Sequence, residues 1–488
     1  MPAKRPSRTA VALGAFSSAC AGYYAKWSLL LHRSYHSNGW DLGIIDQVVW
    51  NTAHGRWFEY SFRDISYAGD HWQPILLFLV PLKWFWHGPE SLLIVQAAAL
   101  GAATIPLFVA ARRLIGYEAG AWAAVVAYAL GLGVTRAVAF DFHAEAFVPL
   151  LAFTALWALA TSRSRWFLAS SLAVLLVKED SLLLALSLAW IAAVAFGQPR
   201  PALVVAGAAL AYGAIVNIWL IPHFRGGDLN PLAERFGYLG ESVPEIAFRA
   251  ATRPDLVASQ LWQAEIGVAV LWLLLGVVAL PLLAPKLAPG LLLVTLPPLL
   301  SQDESQPRLE LHYMVVPATV ALVVAILVLG NRSGRNYGEK HLRAATALLA
   351  LASVAIFAWQ SPLPPSFAAE LERFDVDRHA RASDAIVALV PPGEVVSAQS
   401  PFVPHLAERR KIYQFPRVLD AEFVITDKYG PVAADDVAAG HWSCLEVLPG
   451  LGFEIVREDD GVSLWQRNRS ADPESSLWAQ CSGILPRD

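Results

Sequence analysis

The chain has 488 residues, of which 56% are hydrophobic and only 16% carry a charged side chain. Soluble domains contain about 25% charged residues, so this chain has too little charge to cover a water-exposed surface of its size. The composition excludes a disordered chain, a collagen-like chain, a disulfide scaffold and an ordinary cytosolic enzyme. The class of protein that remains is an integral membrane protein. Because no cluster of basic and aromatic residues is present, nucleic acid is not predicted as a partner.

Apolar runs of about 20 residues recur up to residue 360 and predict an α-helical polytopic membrane protein. The run 9–31 is longer than the apolar core of a signal peptide, so we predict a first membrane helix with a cytoplasmic N-terminus. The segment 74–87 is shorter, and a re-entrant path is one interpretation of it. About eleven crossings are predicted, at 9–31, 90–111, 118–138, 142–161, 166–177, 181–196, 202–221, 264–284, 287–301, 312–330 and 342–360.

The charges between these runs predict the orientation. The connections on the predicted cytoplasmic side are basic, as the positive-inside rule requires: they contain Arg112, Arg113, Arg163, Arg165, Arg200, Lys286, Arg332, Arg335, Lys340 and Arg343. The opposite connections, among them a long first loop over 32–73, hold the clustered acids and histidines. These clusters are therefore predicted to lie outside the cytoplasm.

The composition changes after the last run, because residues 366–488 contain 20 acidic and 12 basic side chains. We predict a membrane domain over 1–365, an extracytoplasmic α/β domain over 366–470 and a C-terminal tail over 471–488. Helix-like and strand-like patterns alternate in the second domain, at 384–389, 394–397, 422–426, 453–456 and 462–466. Cys444 and Cys481 both lie beyond residue 366, and a disulfide or two unpaired thiols fit the sequence equally well.

The first loop contains four candidate polar residues. Leu42, Ile45 and Val49 recur at helical spacing and predict an amphipathic helix along the outer membrane surface, with Asp41 at its N-cap position. Asp46 directly follows Ile45, one of the apolar residues of this helix, and a solvated carboxylate is not expected at that position. Asp70 and His71 precede the short apolar segment and are candidates for a divalent metal ion, with a polar helix start as the alternative.

Two further clusters lie between apolar runs. In the first, Asp141, His143 and Glu145 occupy five positions, and such groups are costly in a membrane unless they face a cavity or water. If a helix begins near Asp141, that residue shares a face with Glu145. If the chain that leads into the next helix is extended, Asp141 shares a face with His143 instead. Asp141 and Glu145 complete the tentative metal set, and His143 is a candidate for binding substrate.

The second cluster is centred on Lys178, which separates two apolar runs that are each too short to span a bilayer. If Lys178 lies inside the helix bundle, it needs a partner such as a carboxylate or a bound phosphate, and a snorkelling surface turn is the alternative. Arg308 and His312 lie four residues apart, one helical turn if a helix starts at Pro307, and are candidates for an anion-binding lip. Lys83 is a further candidate cation.

The sequence motifs that contain these residues resemble those of one protein family. The motifs are Trp40-Asp-Leu-Gly-Ile-Ile-Asp-Gln-Val-Val-Trp-Asn-Thr-Ala-His-Gly-Arg56, Asp70-His71, Phe140-Asp-Phe-His143, Lys178-Glu-Asp180 and His312-Tyr313, with Val396-Ser-Ala-Gln399, Pro404-His-Leu406 and Ala421-Glu-Phe-Val424 in the soluble part. They are similar to those of a family of bacterial and archaeal polytopic membrane proteins that is grouped with the GT-C glycosyltransferases. The resemblance covers residues 38–467.

The resemblance implies a GT-C-like fold and a lipid-linked sugar as donor, commonly a polyprenyl-phosphate sugar. It also implies a catalytic carboxylate in the first extracytoplasmic loop, for which Asp41 is the first candidate and Asp46 the second. Lys178, Arg308 and Lys83 are candidates for holding the departing phosphate. A transporter and a non-catalytic protein that binds a lipid glycan or assembles an envelope complex are the alternatives.

Overall fold

Apolar helices fill most of the chain up to Gln360, and a small sheet follows. The computed structural model describes residues 7–226, 235–303, 305–331, 338–432, 434–468 and 480–482. The chain divides into two units. Unit 1 is Met1–Trp27, Ala68–Ile75 and Ile94–Glu370, and unit 2 is Ser28–Tyr67, Leu76–Leu93 and Leu371–Asp488. The predicted tail over 471–488 lies outside the described residues except for 480–482.

Unit 1 consists of helices. In chain order they are Arg8–Arg33, Tyr67–Asp70, Glu90–Ala102, Thr104–Ile115, Glu118–Ala129, Leu132–Val138, Val148–Ala160, Ser164–Ala173, Leu182–Phe196, Pro199–Ala214, Ile221–Phe224, Val243–Thr252, Pro254–Leu261, Ala264–Leu275, Ala288–Leu300, Val315–Leu329 and Glu339–Gln360, the first three of which contain a unit boundary. Shorter 3₁₀ or π turns lie at Ala144–Phe147, Val174–Leu176, Ile215–Leu220, Leu280–Leu283 and Pro285–Leu287.

The helix Val315–Leu329 forms the centre of unit 1. Its residues are apolar all round, and 13 of its 15 residues are buried, as expected for a helix with no polar face. It packs against the neighbouring helices Leu132–Val138, Val148–Ala160 and Ala288–Leu300. A Cβ at Gly133 would lie 2.9 Å from the Ala318 Cβ, so the absence of a side chain there permits the close approach of two helices.

The described helices differ in whether they are long enough to cross a bilayer. Glu90–Ile115, Pro199–Phe224 and Glu339–Gln360 are long and apolar enough, and two bent pairs, Glu118–Ala129 with Leu132–Val138 and Pro254–Leu261 with Glu265–Leu275, raise the number to five if each pair is one span. Val315–Leu329 has 15 residues, or about 22 Å at 1.5 Å per residue, which is less than the roughly 30 Å of hydrocarbon. The number of crossings therefore stays a prediction.

Unit 2 contains a five-stranded sheet of order β2-β1-β3-β5-β4. Its strands are β1 Val396–Ala398, β2 Ile412–Gln414, β3 Phe423–Asp427, β4 Phe453–Asp459 and β5 Val462–Arg467. β1 is parallel to β2 and β3, whereas β5 is antiparallel to β3 and β4. The turn between β4 and β5 has positive φ angles at Asp460 and Gly461, the backbone conformation that a two-residue hairpin favours. The prediction of a small sheet after the last apolar run is confirmed, and the predicted domain bounds stay a prediction.

Short helices accompany this sheet. They are Gly39–Gly43, Ile44–Ala53, Pro74–Phe78, Val80–Trp84, Leu371–Phe374, Arg378–Val387, Ser400–Phe402, Val403–Leu406, Ala434–Ala438, His441–Val447 and Pro449–Leu451. The core next to β2 and β4 contains Phe415, Leu448 and Phe453, and it encloses a disulfide between Cys444 and Cys481. Of the two interpretations of these cysteines, the structure contains the disulfide.

Candidate functional site

Unit 1 holds a buried cluster of ionisable side chains. The Lys178 Nζ lies 2.7 Å from the Glu145 Oε1, and each side chain is only 9% exposed. The His312 Nε2 lies 3.8 Å from the same Glu145 oxygen. The rings of His143 and His312 stack with their centroids 3.6 Å apart. The structure therefore brings together four of the residues that the sequence singles out.

Interruptions and ends of apolar helices position this cluster. Glu145 lies in the 3₁₀ turn Ala144–Phe147, which leads into Val148–Ala160. Lys178 lies in the break between Val174–Leu176 and Leu182–Phe196, and His312 precedes Val315–Leu329. Lys178 lies inside the unit with a carboxylate partner, as one of the two interpretations predicts, and not on the surface. The chain has no regular secondary structure over 141–143 and the 3₁₀ turn begins at Ala144, so the interpretation that places Asp141 one helical turn from Glu145 is wrong.

Two atoms of the cluster keep hydrogen-bonding capacity. The Glu145 Oε2 and the His312 Nδ1 are buried and have no hydrogen-bond partner within the described ranges. An unpaired buried polar atom costs about 1–3 kcal/mol, so a group that bonds to these atoms would be favoured. The cluster can thus accept a hydrogen bond from a ligand hydroxyl, or it can share a proton between the Glu145 carboxylate and the His312 imidazole.

Next to Lys178 in the chain, Glu179 fixes part of the first loop. Its Oε1 lies 2.9 Å from the His71 Nδ1, and its Oε2 accepts a hydrogen bond of 3.0 Å from the Trp72 backbone N–H. Glu179 is 1% exposed, and its backbone oxygen accepts from the Asn217 side chain at 3.3 Å. The segment Ala68–Ile75 is therefore anchored to the helices of unit 1 by one buried carboxylate.

The residues predicted as metal ligands have different neighbours. Asp70 lies 3.8 Å from Arg225, His71 contacts Glu179, and Glu145 contacts Lys178. The backbone oxygen of Asp141 accepts a hydrogen bond from Gln96 at 3.2 Å. Among the residues that the structure describes, no group of three or more His, Cys, Asp or Glu is arranged to hold a metal ion. Metal binding stays a prediction.

Asp46 forms a buried ion pair in unit 2. It accepts a hydrogen bond from Lys83, and neither side chain has exposed surface. Lys83 also lies 3.0 Å from the Glu408 Oε1 and donates to the Gly88 backbone oxygen at 2.8 Å. Burial raises the pKa of Asp46 to about 6, because the loss of solvation outweighs the attraction of Lys83. Lys83, predicted as a phosphate-binding cation, is thus enclosed by two carboxylates.

Asp41 differs from Asp46 in its exposure. It lies in the π turn Gly39–Gly43 and is partly exposed. The predicted N-cap role of Asp41 is wrong, because Asn38 caps the turn by accepting a hydrogen bond of 2.9 Å from the Trp40 N–H. The predicted helix is present as Ile44–Ala53, but eight of its ten residues are buried, so its predicted amphipathic character is wrong and its position along the membrane surface stays a prediction.

Arg308 and His312 do not share a helix face. The backbone forms turns from residue 305, and the helix begins at Val315, well after Pro307. Positive φ angles at Leu309 and Leu311 interrupt any helical path between the two residues. Arg308 is exposed whereas His312 is 5% exposed, so the predicted one-turn spacing is wrong.

Glu408 contacts the buried pair of Asp46 and Lys83 in unit 2, and sequence reasoning missed it. It lies 325 positions from Lys83, and no local pattern relates the two residues. Its Oε1 also accepts a hydrogen bond of 2.8 Å from the Gly88 N–H. A single charge in the predicted soluble domain gives no signal of this kind, because the pairing depends on the tertiary fold.

The apolar helices that are long enough to span a bilayer, and the buried charges at the ends of others, define an integral membrane protein. Residues 31–442 match the family described as "Predicted membrane protein (DUF2079)", and the chain belongs to this family. No curated protein matches the chain. The structure is similar to the crystal structure of ArnT from Cupriavidus metallidurans bound to undecaprenyl phosphate, with 13% identity and a TM-score of 0.49, over 94% of this chain and 98% of that chain.

Proposed function

We propose that the protein is a membrane glycosyltransferase that transfers a sugar from a polyprenyl-phosphate-linked donor to an acceptor on the extracytoplasmic face. The observation that carries this proposal is the difference between the two carboxylates of the first loop. Asp41 is partly exposed and can meet a substrate, whereas Asp46 is fully buried beside Lys83. Asp41 is therefore the general base of the proposal, and Asp46 has a structural role.

The proposed reaction needs one base and one departing phosphate. The acceptor hydroxyl gives its proton to the Asp41 carboxylate while its oxygen attacks the anomeric carbon of the donor sugar. The bond between that carbon and the phosphate oxygen breaks, and the polyprenyl phosphate leaves with the bonding electron pair. The anomeric configuration inverts, because a single displacement occurs.

Within unit 1, Lys178 is proposed as a cation that binds the phosphate of a polyprenyl lipid. Its ammonium group has three N–H donors, and within the described ranges Glu145 supplies the one hydrogen-bond partner found for it. The other donors are available for phosphate oxygens in a buried setting, where a charge-assisted hydrogen bond is strong. The role of Lys178 and the role of Asp41 are tested separately.

The proposal includes the predicted topology, with about eleven crossings, a cytoplasmic N-terminus and an extracytoplasmic domain over 366–470. The disulfide between Cys444 and Cys481 supports this orientation, because disulfides persist in oxidising compartments outside the cytoplasm. The basic residues on the other side of the predicted spans support the same orientation.

The test begins with the full-length protein purified with its native lipids. Mass spectrometry should find a co-purified polyprenyl phosphate species, and transfer should occur from at least one polyprenyl-phosphate-linked hexose or pentose. D41N should lower turnover by about 10²–10⁴-fold, the usual contribution of a general base. The matched control is E59Q, because Glu59 is also a first-loop carboxylate, is 43% exposed and pairs only loosely with Arg410 at 3.5 Å.

Two results would contradict the proposal. One is the absence of both a bound polyprenyl lipid and any transfer, which would favour the non-catalytic or transporter alternatives. The other is measurable transfer that D41N and E59Q leave equally intact. In that case Asp41 would not be the base.

A further inference from the structure

Unit 2 contains a cleft of about 550 Å³, a size that is typical of small-molecule sites. Two parts of the chain that are far apart in sequence form its walls, the first loop and the segments around β2 and the helix Ala434–Ala438. The lining residues are Trp40, Phe62, Arg63, Asp64, Gln414, Pro416, Arg417, Leu419, Asp435, Asp436, Ala439 and Ser482.

The indole ring of Trp40, which neighbouring side chains hold in place, forms the apolar part of the lining. Trp40 is 42% exposed although it lies in a largely buried segment. Its ring is held edge-to-face against Phe62, with centroids 5.4 Å apart, and the Arg63 guanidinium lies 5.7 Å from its centroid. A partly exposed aromatic ring that is fixed by its neighbours offers a flat surface to an amphipathic ligand at little cost in conformational entropy.

The polar part of the lining is a buried amide and carboxylate pair. The Gln414 Nε2 donates to both oxygens of Asp436, at 2.9 and 3.0 Å. Gln414 is 5% exposed and Asp436 is 8% exposed. The Gln414 Oε1 is buried and has no hydrogen-bond partner in the described part of the chain. Both side chains line the cleft, and the Asp436 carboxylate, which Gln414 holds in place, offers acceptors to a ligand that brings hydroxyl donors.

The charges in the cleft disfavour an anion. Three carboxylates line it together with two guanidinium groups, and one of these, Arg417, donates to the Phe62 backbone oxygen at 2.5 Å and to Asp64 at 2.8 Å. A phosphate site would need an excess of positive charge, which this lining lacks. An aromatic plane beside hydroxyl acceptors without excess positive charge fits a neutral sugar ring, which has apolar C–H faces and a rim of hydroxyl groups.

We propose that this cleft binds a neutral saccharide and that the saccharide is the acceptor of the transfer reaction. Asp41 follows Trp40 directly in the chain, so the residue that lines the cleft is the neighbour of the proposed base. The acceptor role rests on the proposed function. Saccharide binding does not, because binding needs neither a donor nor turnover.

The test uses the full-length protein in detergent without donor lipid. Saturation-transfer NMR should detect binding of at least one of glucose, galactose, mannose, N-acetylglucosamine and maltose, and no comparable binding of inorganic phosphate or an acidic peptide. W40A should weaken this binding tenfold or more. The matched control is W442A, because Trp442 is 53% exposed in unit 2 and does not line the cleft. Equal losses in W40A and W442A, or binding of phosphate or peptide but of no saccharide, would overturn the proposal.

A second measurement needs no variant. A hexose that carries a diazirine group, photolysed on the wild-type protein, should label peptides that contain Trp40 or Asp436, and labelling confined to other peptides would overturn the proposal. If saccharide binds and labels this cleft but no transfer occurs, the proposed function fails while the site stands. If transfer occurs and the cleft is not labelled, the acceptor binds elsewhere and this inference fails.

Discussion

Lys83 donates a hydrogen bond to Asp46, and both side chains are fully buried. The pair joins the helix Ile44–Ala53 to the short helix Val80–Trp84, and the Glu408 carboxylate brings the C-terminal part of the chain to the same ammonium group. Three segments of unit 2 thus meet at one charge. Removing one partner of such a pair leaves a buried charge without compensation.

K83M should lower the free energy of unfolding by about 3–5 kcal/mol, the usual cost of breaking a buried ion pair from one side. The double variant K83M/D46L should recover part of this loss, because it removes the uncompensated carboxylate. Denaturant unfolding in detergent measures both variants. K411M is the control, because Lys411 pairs with Asp420 at 2.6 Å while the two side chains are 43% and 50% exposed, and it should cost less than about 1 kcal/mol. Equal effects of K83M and K411M would contradict the structural role.

Lys178 and Arg308 are both candidates for holding a phosphate, but their surroundings differ. Lys178 lies in the buried cluster with Glu145, and Arg308 is exposed. K178M should lower the amount of polyprenyl phosphate that co-purifies with the protein at least tenfold, whereas R308Q should lower it much less, because exposed charges are screened. Quantitative mass spectrometry of the retained lipid measures the ratio. A larger loss in R308Q would move the phosphate site to the exposed turn.

The sequence predicts well what depends on local pattern and on the cost of burying charge. Lys178 lies between two apolar runs too short to span a bilayer, and one of the two interpretations of this pattern, a buried amine with a carboxylate or phosphate partner, agrees with the Glu145 contact in the structure. The strands β3, β4 and β5 follow from their runs of β-branched and aromatic residues. β2, at Ile412–Gln414, is not among the predicted strands, although β1, which is equally short, overlaps the predicted strand at 394–397.

The site residues that were misjudged depend on backbone details and on long-range contacts. Asn38 takes the cap position that Asp41 was expected to hold, and both are good capping residues, so composition does not separate them. Pro307 favours a helix start, but the positive φ angles at Leu309 and Leu311 delay the helix to Val315. Glu408 pairs with Lys83 in the short helix Val80–Trp84, a contact that only the assembled fold of unit 2 reveals.

His379 should make the stability of unit 2 depend on pH. Burial alone would lower the pKa of His379, but Asp427 at 2.8 Å and Asp460 at 3.2 Å outweigh it and raise that pKa. A raised histidine pKa contributes stability below the unfolded value of 6.5 and loses it as the pH rises through the folded value. The contribution should stay below about 1 kcal/mol, because the ring is partly exposed.

Hydrogen exchange of the helix Arg378–Val387 measures this effect locally. H379N should exchange faster than the wild type below pH 6.5, and the two should converge well above neutrality. R378Q is the control, because Arg378 is 81% exposed, lies 3.8 Å from Asp460 and stays charged throughout this range. A difference between H379N and the wild type that grows with pH would contradict the sign of the shift.

The disulfide between Cys444 and Cys481 should stabilise unit 2 and one wall of the cleft. The two residues are 37 positions apart, and closing a loop of that length in the unfolded chain is worth about 2–4 kcal/mol. The bond also holds Ser482, which lines the cleft, and the Cys481 backbone oxygen accepts a hydrogen bond of 3.0 Å from the Val418 N–H.

The double variant C444A/C481A should therefore unfold at lower temperature than the wild type and bind saccharide more weakly, and a reductant should reproduce both effects on the wild type. C20A is the control, because Cys20 lies in the helix Arg8–Arg33 as a free thiol, so its loss should change neither property. If the double variant loses stability but keeps full saccharide affinity, the tail segment contributes to the fold and not to the cleft. If it loses neither, the loop is already ordered without the covalent bond, and the remaining packing of Val418 and Leu448 is sufficient to hold the wall in place.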